Sequence, residues 1–282
     1  ITELPSAEIS YNTPICASET ELQQVIFSST IGNYEDGTFT ASPAGLSINE
    51  ETGAINPVES DPGIYSIAYT IPGQGGCEEV ILNTSATITE VPYATISYEN
   101  AALCTSVEQD QPVTFVDTPV EYQNGTFSGS NGLAISVDGS INPAASTGGP
   151  HTVFYSIPAE NSCEEVVINL AIEIFKKPQI TSQPFNVGIC STQPSELSVS
   201  AIGDNLNYQW YQNGNPVNGA TSPTLSFSNT TSTNAGDYYV VVTGAQSCSE
   251  VISNTVNLNV DEDIIIEEPI TEIPICGDGF SE

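Results

Sequence analysis

Seven cysteines carry the sharpest chemical signal in this sequence: Cys16, Cys77, Cys104, Cys163, Cys190, Cys248 and Cys276. Zinc sites need close pairs such as C-x-x-C, and none occurs. The intervals Cys16–Cys77, Cys104–Cys163 and Cys190–Cys248 are instead 61, 59 and 58 positions. Three near-equal spans predict one disulfide inside each of three domains: Cys16–Cys77, Cys104–Cys163 and Cys190–Cys248. Cys276 is left over, and its partner is expected in a further module. Closing a loop of about 60 residues stabilises a fold by roughly 4 kcal/mol in the chain-entropy model. That is a large share of a small domain's total stability. Disulfides persist in oxidising compartments, so the chain is expected outside the cytoplasm.

Other reactive residues are sparse. His151 is the single histidine. It occupies a strand position that aligns with Tyr65, and no partner motif surrounds it, so it reads as structural. The adjacent carboxylates Glu50–Glu51, Glu78–Glu79 and Glu164–Glu165 could suggest acid–base work. Neighbours on a strand point to opposite faces, however, whereas glycosidase carboxylates converge across a cleft. No catalytic residue and no organic cofactor site is therefore assigned. Calcium favours clustered acids and carbonyls at domain junctions, and Asp261, Glu262 and Asp263 are the candidate ligands. They lack the EF-hand spacing. Lys176 and Lys177 lie at a repeat junction, where neither can supply the core lysine of an intramolecular isopeptide bond.

Positioning these residues falls to short strands. Residues 9–91 and 96–177 are copies: ISYNTPIC (9–16) matches ISYENAALC (96–104), and GTF at 37–39 matches GTF at 125–127. GLSINEETGAINP (45–57) matches GLAISVDGSINP (132–143), and CEEVIL (77–82) matches CEEVVI (163–168). A period of about 85–88 residues is the size of one β-sandwich domain. Apolar residues alternate at Tyr65, Ile67 and Tyr69, and again at Val153 and Tyr155, as half-buried strands require. The segments 64–71 and 79–88 flank a Gly-rich turn and predict a hairpin.

The third unit, 179–260, differs. It offers an alternating strand at 197–203, then Trp210 on a strand ahead of an Asn213-Gly214 turn, then NAGDYYVVV (234–242). The run Val199…Gly203…Trp210…Asn234-Ala235-Gly236-x-Tyr238-x-Val240 resembles an immunoglobulin I-type domain. That resemblance makes Trp210 the buried strand-C tryptophan and Tyr238 the tyrosine-corner residue. Val199 and Val240 stand where such domains carry their inter-sheet cysteines. The tail 261–282 reads as an acidic linker over 261–270 followed by the start of another module, because PIC (274–276) echoes PIC (14–16).

Composition narrows the partners. The 282 residues hold 35 acids, two lysines and no arginine, for a net charge of −33. Nucleic-acid binding needs cations against phosphate, and anionic membrane surfaces need the same, so both classes are excluded. The acidity reads as a solvated, self-repelling surface. No run of about 20 apolar residues could span a bilayer. No secretory leader is visible at Ile1, which predicts a piece of a longer precursor.

The expected architecture is all-β: tandem immunoglobulin-like β-sandwich domains in an elongated rod. The boundaries are 1–92 (repeat 1), 93–178 (repeat 2), 179–260 (I-type domain) and 261–282 (linker and start of a further module). Residues 8–178, with GTF-x-A-S-P-A-GLSIN-x-x-TGAINP and the following IAYTIP…C, resemble the tandem repeats of giant cell-surface adhesins from gliding Bacteroidota, exported by the type IX secretion system. The resemblance implies a non-enzymatic filament segment at the bacterial cell surface. Its implied partners are further modules of the same polypeptide, an extracellular surface or glycan, and the gliding and secretion machinery. The alternative class is a set of non-catalytic accessory domains, carbohydrate-binding or not, of a secreted polysaccharide-degrading enzyme.

Overall fold

The computed structural model describes residues 6–32, 35–73, 78–245 and 248–261. The described regular elements are strands and three short 3-10 turns. Repeat 1 contributes β1 (Ser6–Ser10), β2 (Ile15–Cys16), β3 (Ile26–Ile31), β4 (Thr38–Ser42), β5 (Gly63–Ile71) and β6 (Val80–Thr89). Repeat 2 contributes β7 (Thr95–Ser97), β8 (Ala102–Cys104), β9 (Thr114–Val116), β10 (Thr126–Gly129), β11 (Gly149–Ile157) and β12 (Val166–Phe175). The third unit begins with β13 (Gln179–Ser182), β14 (Val187–Cys190), β15 (Ser195–Ser198), β16 (Ser200–Ile202) and β17 (Asn207–Gln212). It continues with β18 (Asn215–Pro216), β19 (Thr224–Phe227), β20 (Gly236–Thr243), β21 (Val251–Ile252) and β22 (Val256–Asp261).

One layout recurs three times. In repeat 1 the main sheet runs β2-β6-β5-β4, and β1 pairs with β3 in a second sheet. Repeat 2 gives β8-β12-β11-β10 with β7-β9. The third unit gives β14-β22-β20-β17-β18, with β13-β16 and β15-β19. In each, a short early strand lies parallel to the last strand: β2 on β6, β8 on β12 and β14 on β22. Successive strands such as β4 on β5 and β5 on β6 pair antiparallel, the arrangement that short connections permit.

The alternating pattern sets what is buried. Tyr65, Ile67, Tyr69 and Ile71 of β5 point inward, as do His151, Val153, Tyr155 and Ile157 of β11. The GTF motif explains itself at this level. Phe39 packs on Tyr69 with ring centroids 4.3 Å apart, and Phe127 packs on Tyr155 at 4.5 Å. The glycine two residues earlier lies under the tyrosine ring and donates its amide to the tyrosine hydroxyl, Gly37 at 3.0 Å and Gly125 at 2.7 Å. A β-carbon on Gly37 would sit 2.5 Å from the Tyr69 ring, and one on Gly125 would sit 2.3 Å from the Ser156 carbonyl. The glycines of TGAINP and DGSINP, Gly53 and Gly139, hold φ of +72° and +83°, conformations glycine adopts without steric cost. Their carbonyls accept from Tyr11 and Tyr98 at 2.7 and 2.5 Å.

These buried and half-buried tyrosines give a pH dependence. Burial raises Tyr238 from the ordinary 10.0 to about 12. It raises Tyr98 to about 12 as well, with Asp138 adding to the effect, and pushes Tyr11 further up. The folded state thus resists forming tyrosinate more than the unfolded chain does. The sign follows: this stability is complete below pH 10 and drains as pH rises through the folded values. The urea midpoint should stay level as pH approaches 10 and fall above it, with tyrosinate absorbance appearing together with unfolding. A midpoint that falls equally in Tyr238→Phe and in the parent would remove Tyr238 from this account.

Packing divides the chain into two compact units. The first is Ile1–Ala101, Asp110–Asn142 and His151–Ile172; the second is Ala102–Gln109, Pro143–Pro150 and Glu173–Glu282. The segments of repeat 2 are shared between them, so this division runs across the repeat boundaries set by the sequence. Of the expected linker and further module at 261–282, all but Asp261 lies outside the described residues.

Candidate functional site: cysteine staples across the repeat boundaries

Each early cysteine ends a short strand that runs beside the end of a last strand. Cys16 pairs with Thr89, Cys104 with Phe175 and Cys190 with Asp261. The following residue donates back to the same partner: Ala17 to Thr89, Thr105 to Phe175 and Ser191 to Asp261, at 2.9, 2.9 and 2.8 Å. The late cysteines sit at the opposite end of the last strands. Cys163 precedes β12 by three residues, and Cys248 precedes β21 by three.

This placement overturns the predicted pairing. The bonds are Cys16–Cys163 and Cys104–Cys248, spanning 147 and 144 positions, with Cα separations of 4.9 and 5.1 Å. Cys16–Cys77, Cys104–Cys163 and Cys190–Cys248 are replaced for a geometric reason. Within repeat 2, Cys104 lies beside the last residue of the ten-residue β12 and Cys163 lies just before its first. At about 3.3 Å per residue the strand separates them by roughly 30 Å, whereas a disulfide needs Cα atoms within about 7 Å. An early cysteine therefore reaches the last hairpin of the following repeat, not of its own. Both bonds lie within single compact units, the first joining residues of repeats 1 and 2, the second joining repeat 2 to the third unit. Cys77 and Cys276 lie outside the described residues.

Polar contacts frame each bond. Thr89 donates its hydroxyl to the Asn161 carbonyl at 2.9 Å beside Cys163. In the second unit, Ser249 donates its amide to the Ser106 hydroxyl at 3.2 Å, and Lys177 its amide to the Thr105 hydroxyl at 2.9 Å. Cys190 is exposed and unbonded within the described residues.

Trp210, Tyr238, Val199 and Val240 are all buried in one cluster with Leu197, Leu225, Val256 and Leu258. The Tyr238 hydroxyl donates to the Asn234 carbonyl four residues back at 2.7 Å, and the Trp210 indole donates to the Ser222 carbonyl at 2.9 Å. Sequence reading missed a second such corner: the Tyr65 hydroxyl donates to the Asp61 carbonyl, again four residues back, at 2.7 Å. The equivalent His151 is buried with Nδ1 3.1 Å from the Ser130 hydroxyl. The signal was present in the alignment of Tyr65 with the corner position of the third unit. Glu50, Glu51, Glu78, Glu79, Glu164 and Glu165 are all exposed. Asp261 accepts from the Asn259 amide at 3.1 Å, while Glu262 and Asp263 lie outside the described residues. Tyr211 and Tyr239 face each other across β17 and β20, centroids 4.9 Å apart and planes 3° from parallel.

Residues 176–261 match the family described as Ig-like domain, CHU_C associated. Among solved structures, the N-terminal eight Ig domains of Down Syndrome Cell Adhesion Molecule align at 13% identity and TM-score 0.56, covering 92% of this chain and 37% of that one. The titin I-band fragment I67–I69 aligns at 9% identity and TM-score 0.45 (91% and 98% covered), and Drosophila OTK extracellular domains 3–5 at 12% and 0.40 (92% and 99%). No curated protein sequence matches significantly. The chain is thus an all-β series of tandem immunoglobulin-like modules, and none of these likenesses is to an enzymatic family. Among the described residues no helix is long and apolar enough to cross a membrane.

Proposed function

We propose that this chain is a load-bearing segment of a large exported adhesin at the bacterial cell surface, serving attachment and gliding. The observation that carries this reading is the pair of disulfides that join each repeat to the next. A bond inside one domain protects that domain alone. A bond across a boundary keeps the junction covalently closed, which matters when force passes along a series of modules. The −33 charge fits a segment kept apart from its neighbours by repulsion. Its partners on this reading are further modules of the same polypeptide, an outer surface or glycan, and the secretion and gliding machinery.

The test is the size and exposure of the native polypeptide. An antibody to this segment, used on a large-pore denaturing gel of whole cells, should reveal a band of many times 29.7 kDa that external protease removes. A band only modestly larger, carrying polysaccharide-degrading activity, would move the assignment to accessory domains of a secreted enzyme.

A further inference from the structure

Three cysteines occupy one structural position, and two of them are bonded. Cys16, Cys104 and Cys190 each end the short strand parallel to their module's last strand, in the same register. The turn that follows repeats as well: Glu19, Val107 and Gln193 donate their amides to the carbonyls of Cys16, Cys104 and Cys190 at 3.0, 2.9 and 3.4 Å. Accessibility separates them. Cys16 is 3% exposed and Cys104 is fully buried, each covered where its partner hairpin docks, whereas Cys190 is exposed.

The surface around Cys190 is open and shallowly concave. A hollow of about 420 Å³ is lined by Gly188, Ile189, Cys190, Gln193, Pro194 and Asp261. It shares Ile189 and Pro194 with a second hollow of about 610 Å³ whose wall adds Val187 and Phe227. Gly188 carries no side chain that would narrow the approach, and a β-carbon there would meet nothing within 4 Å.

We propose that this face docks the last hairpin of a following immunoglobulin-like module of the same polypeptide, and that Cys190 is disulfide-bonded to a cysteine in that hairpin. The spacings of the existing bonds place that cysteine 144 to 147 positions beyond Cys190. In both partners seen here the hairpin cysteine closes a tight turn, Cys163 donating its amide to the Glu160 carbonyl and Cys248 to the Ala245 carbonyl, at 2.9 and 2.8 Å. The same turn is expected in the incoming module. Bond formation oxidises two thiols to one disulfide, releasing two protons and two electrons. A disulfide-bearing thiol oxidase of the export compartment accepts both electrons by thiol–disulfide exchange and leaves as a dithiol.

This inference rests on bond register and not on the adhesive role, so a native polypeptide only one module longer than this chain would leave it standing. The test is disulfide mapping of the natural polypeptide. Free thiols are alkylated on intact cells, and the protein is cleaved after glutamate, since two lysines make trypsin uninformative. Mass spectrometry then follows the peptide from Ile174 to Glu196. We expect it linked to a peptide from outside residues 1–282. In the 282-residue chain alone, Cys190 should react with maleimide without reductant, while Cys16, Cys104, Cys163 and Cys248 should not. An alkylated Cys190 in the natural polypeptide, or a bond from Cys190 to Cys276 or Cys77 of the same chain, would overturn the proposal.

Discussion

Stretched between residues 16 and 248 with both disulfides intact, the chain should reach only about a quarter of its reduced extension. The bonds interlock, because Cys104 lies before Cys163 in sequence while each is bonded outward. The shortest covalent route enters at Cys16, crosses to Cys163, runs backward to Cys104 and crosses to Cys248. It contains 59 positions in place of the 232 of the open chain. At about 3.5 Å per residue that is roughly 20 nm against roughly 80 nm. A single variant separates this arrangement from one bond per repeat. Cys104→Ser leaves Cys16–Cys163 intact, and the route becomes the 85 positions from Cys163 to Cys248, or about 30 nm. Under one bond per repeat the same variant would open the 113 positions from Cys77 to Cys190, or about 40 nm. Single-molecule pulling with and without reductant reads all of these lengths. An extension that ignores reductant would dismiss the staples as load-bearing.

The same interlocking explains why the cysteine pairing was not legible. Intervals of 61, 59 and 58 positions look like three closed domains, yet pairing each early cysteine with the next repeat's late one is just as regular, at 147 and 144. Spacing alone cannot choose between them. The choice is made by strand direction: a short strand laid parallel to a ten-residue last strand carries its cysteine to the end opposite the hairpin. Had the parallel placement of ALC (102–104) been read, the in-repeat bond would have failed on distance. The sandwich itself was legible. Period-two alternation at Tyr65, Ile67 and Tyr69 needs only local sterics and one buried face, and GTF and INP recur because the same ring and turn must be accommodated twice. Trp210 and Tyr238 were readable because their environments are set by one module's own strands, whereas a bond between modules depends on an arrangement no single repeat encodes.

Moving the disulfide to the module boundary shifts the burden of holding the third unit together onto its core, and Trp210→Ala tests how much that core carries. Val199 and Val240 occupy the positions where an inter-sheet bond could stand, so no covalent link crosses the centre, and the fully buried indole lies in the same cluster. Trp210 faces Val240 across β17 and β20, and its backbone amide donates to the Ala220 carbonyl at 3.0 Å. Truncation removes the ring's transfer energy, leaves a cavity, and strands the Ser222 carbonyl without its indole donor. Together these should cost about 3–5 kcal/mol. A domain of this size gains or loses roughly 4–8 °C in Tm per kcal/mol, so the transition of the third unit should fall by about 12 °C or more. Calorimetry should show that transition displaced while the one belonging to residues of repeat 1 stays in place. In the parent protein, fluorescence of the sole tryptophan reports the third unit alone, which assigns its transition independently. A loss below about 0.5 kcal/mol, the range of ordinary surface substitutions, would mean that the indole is not in the core.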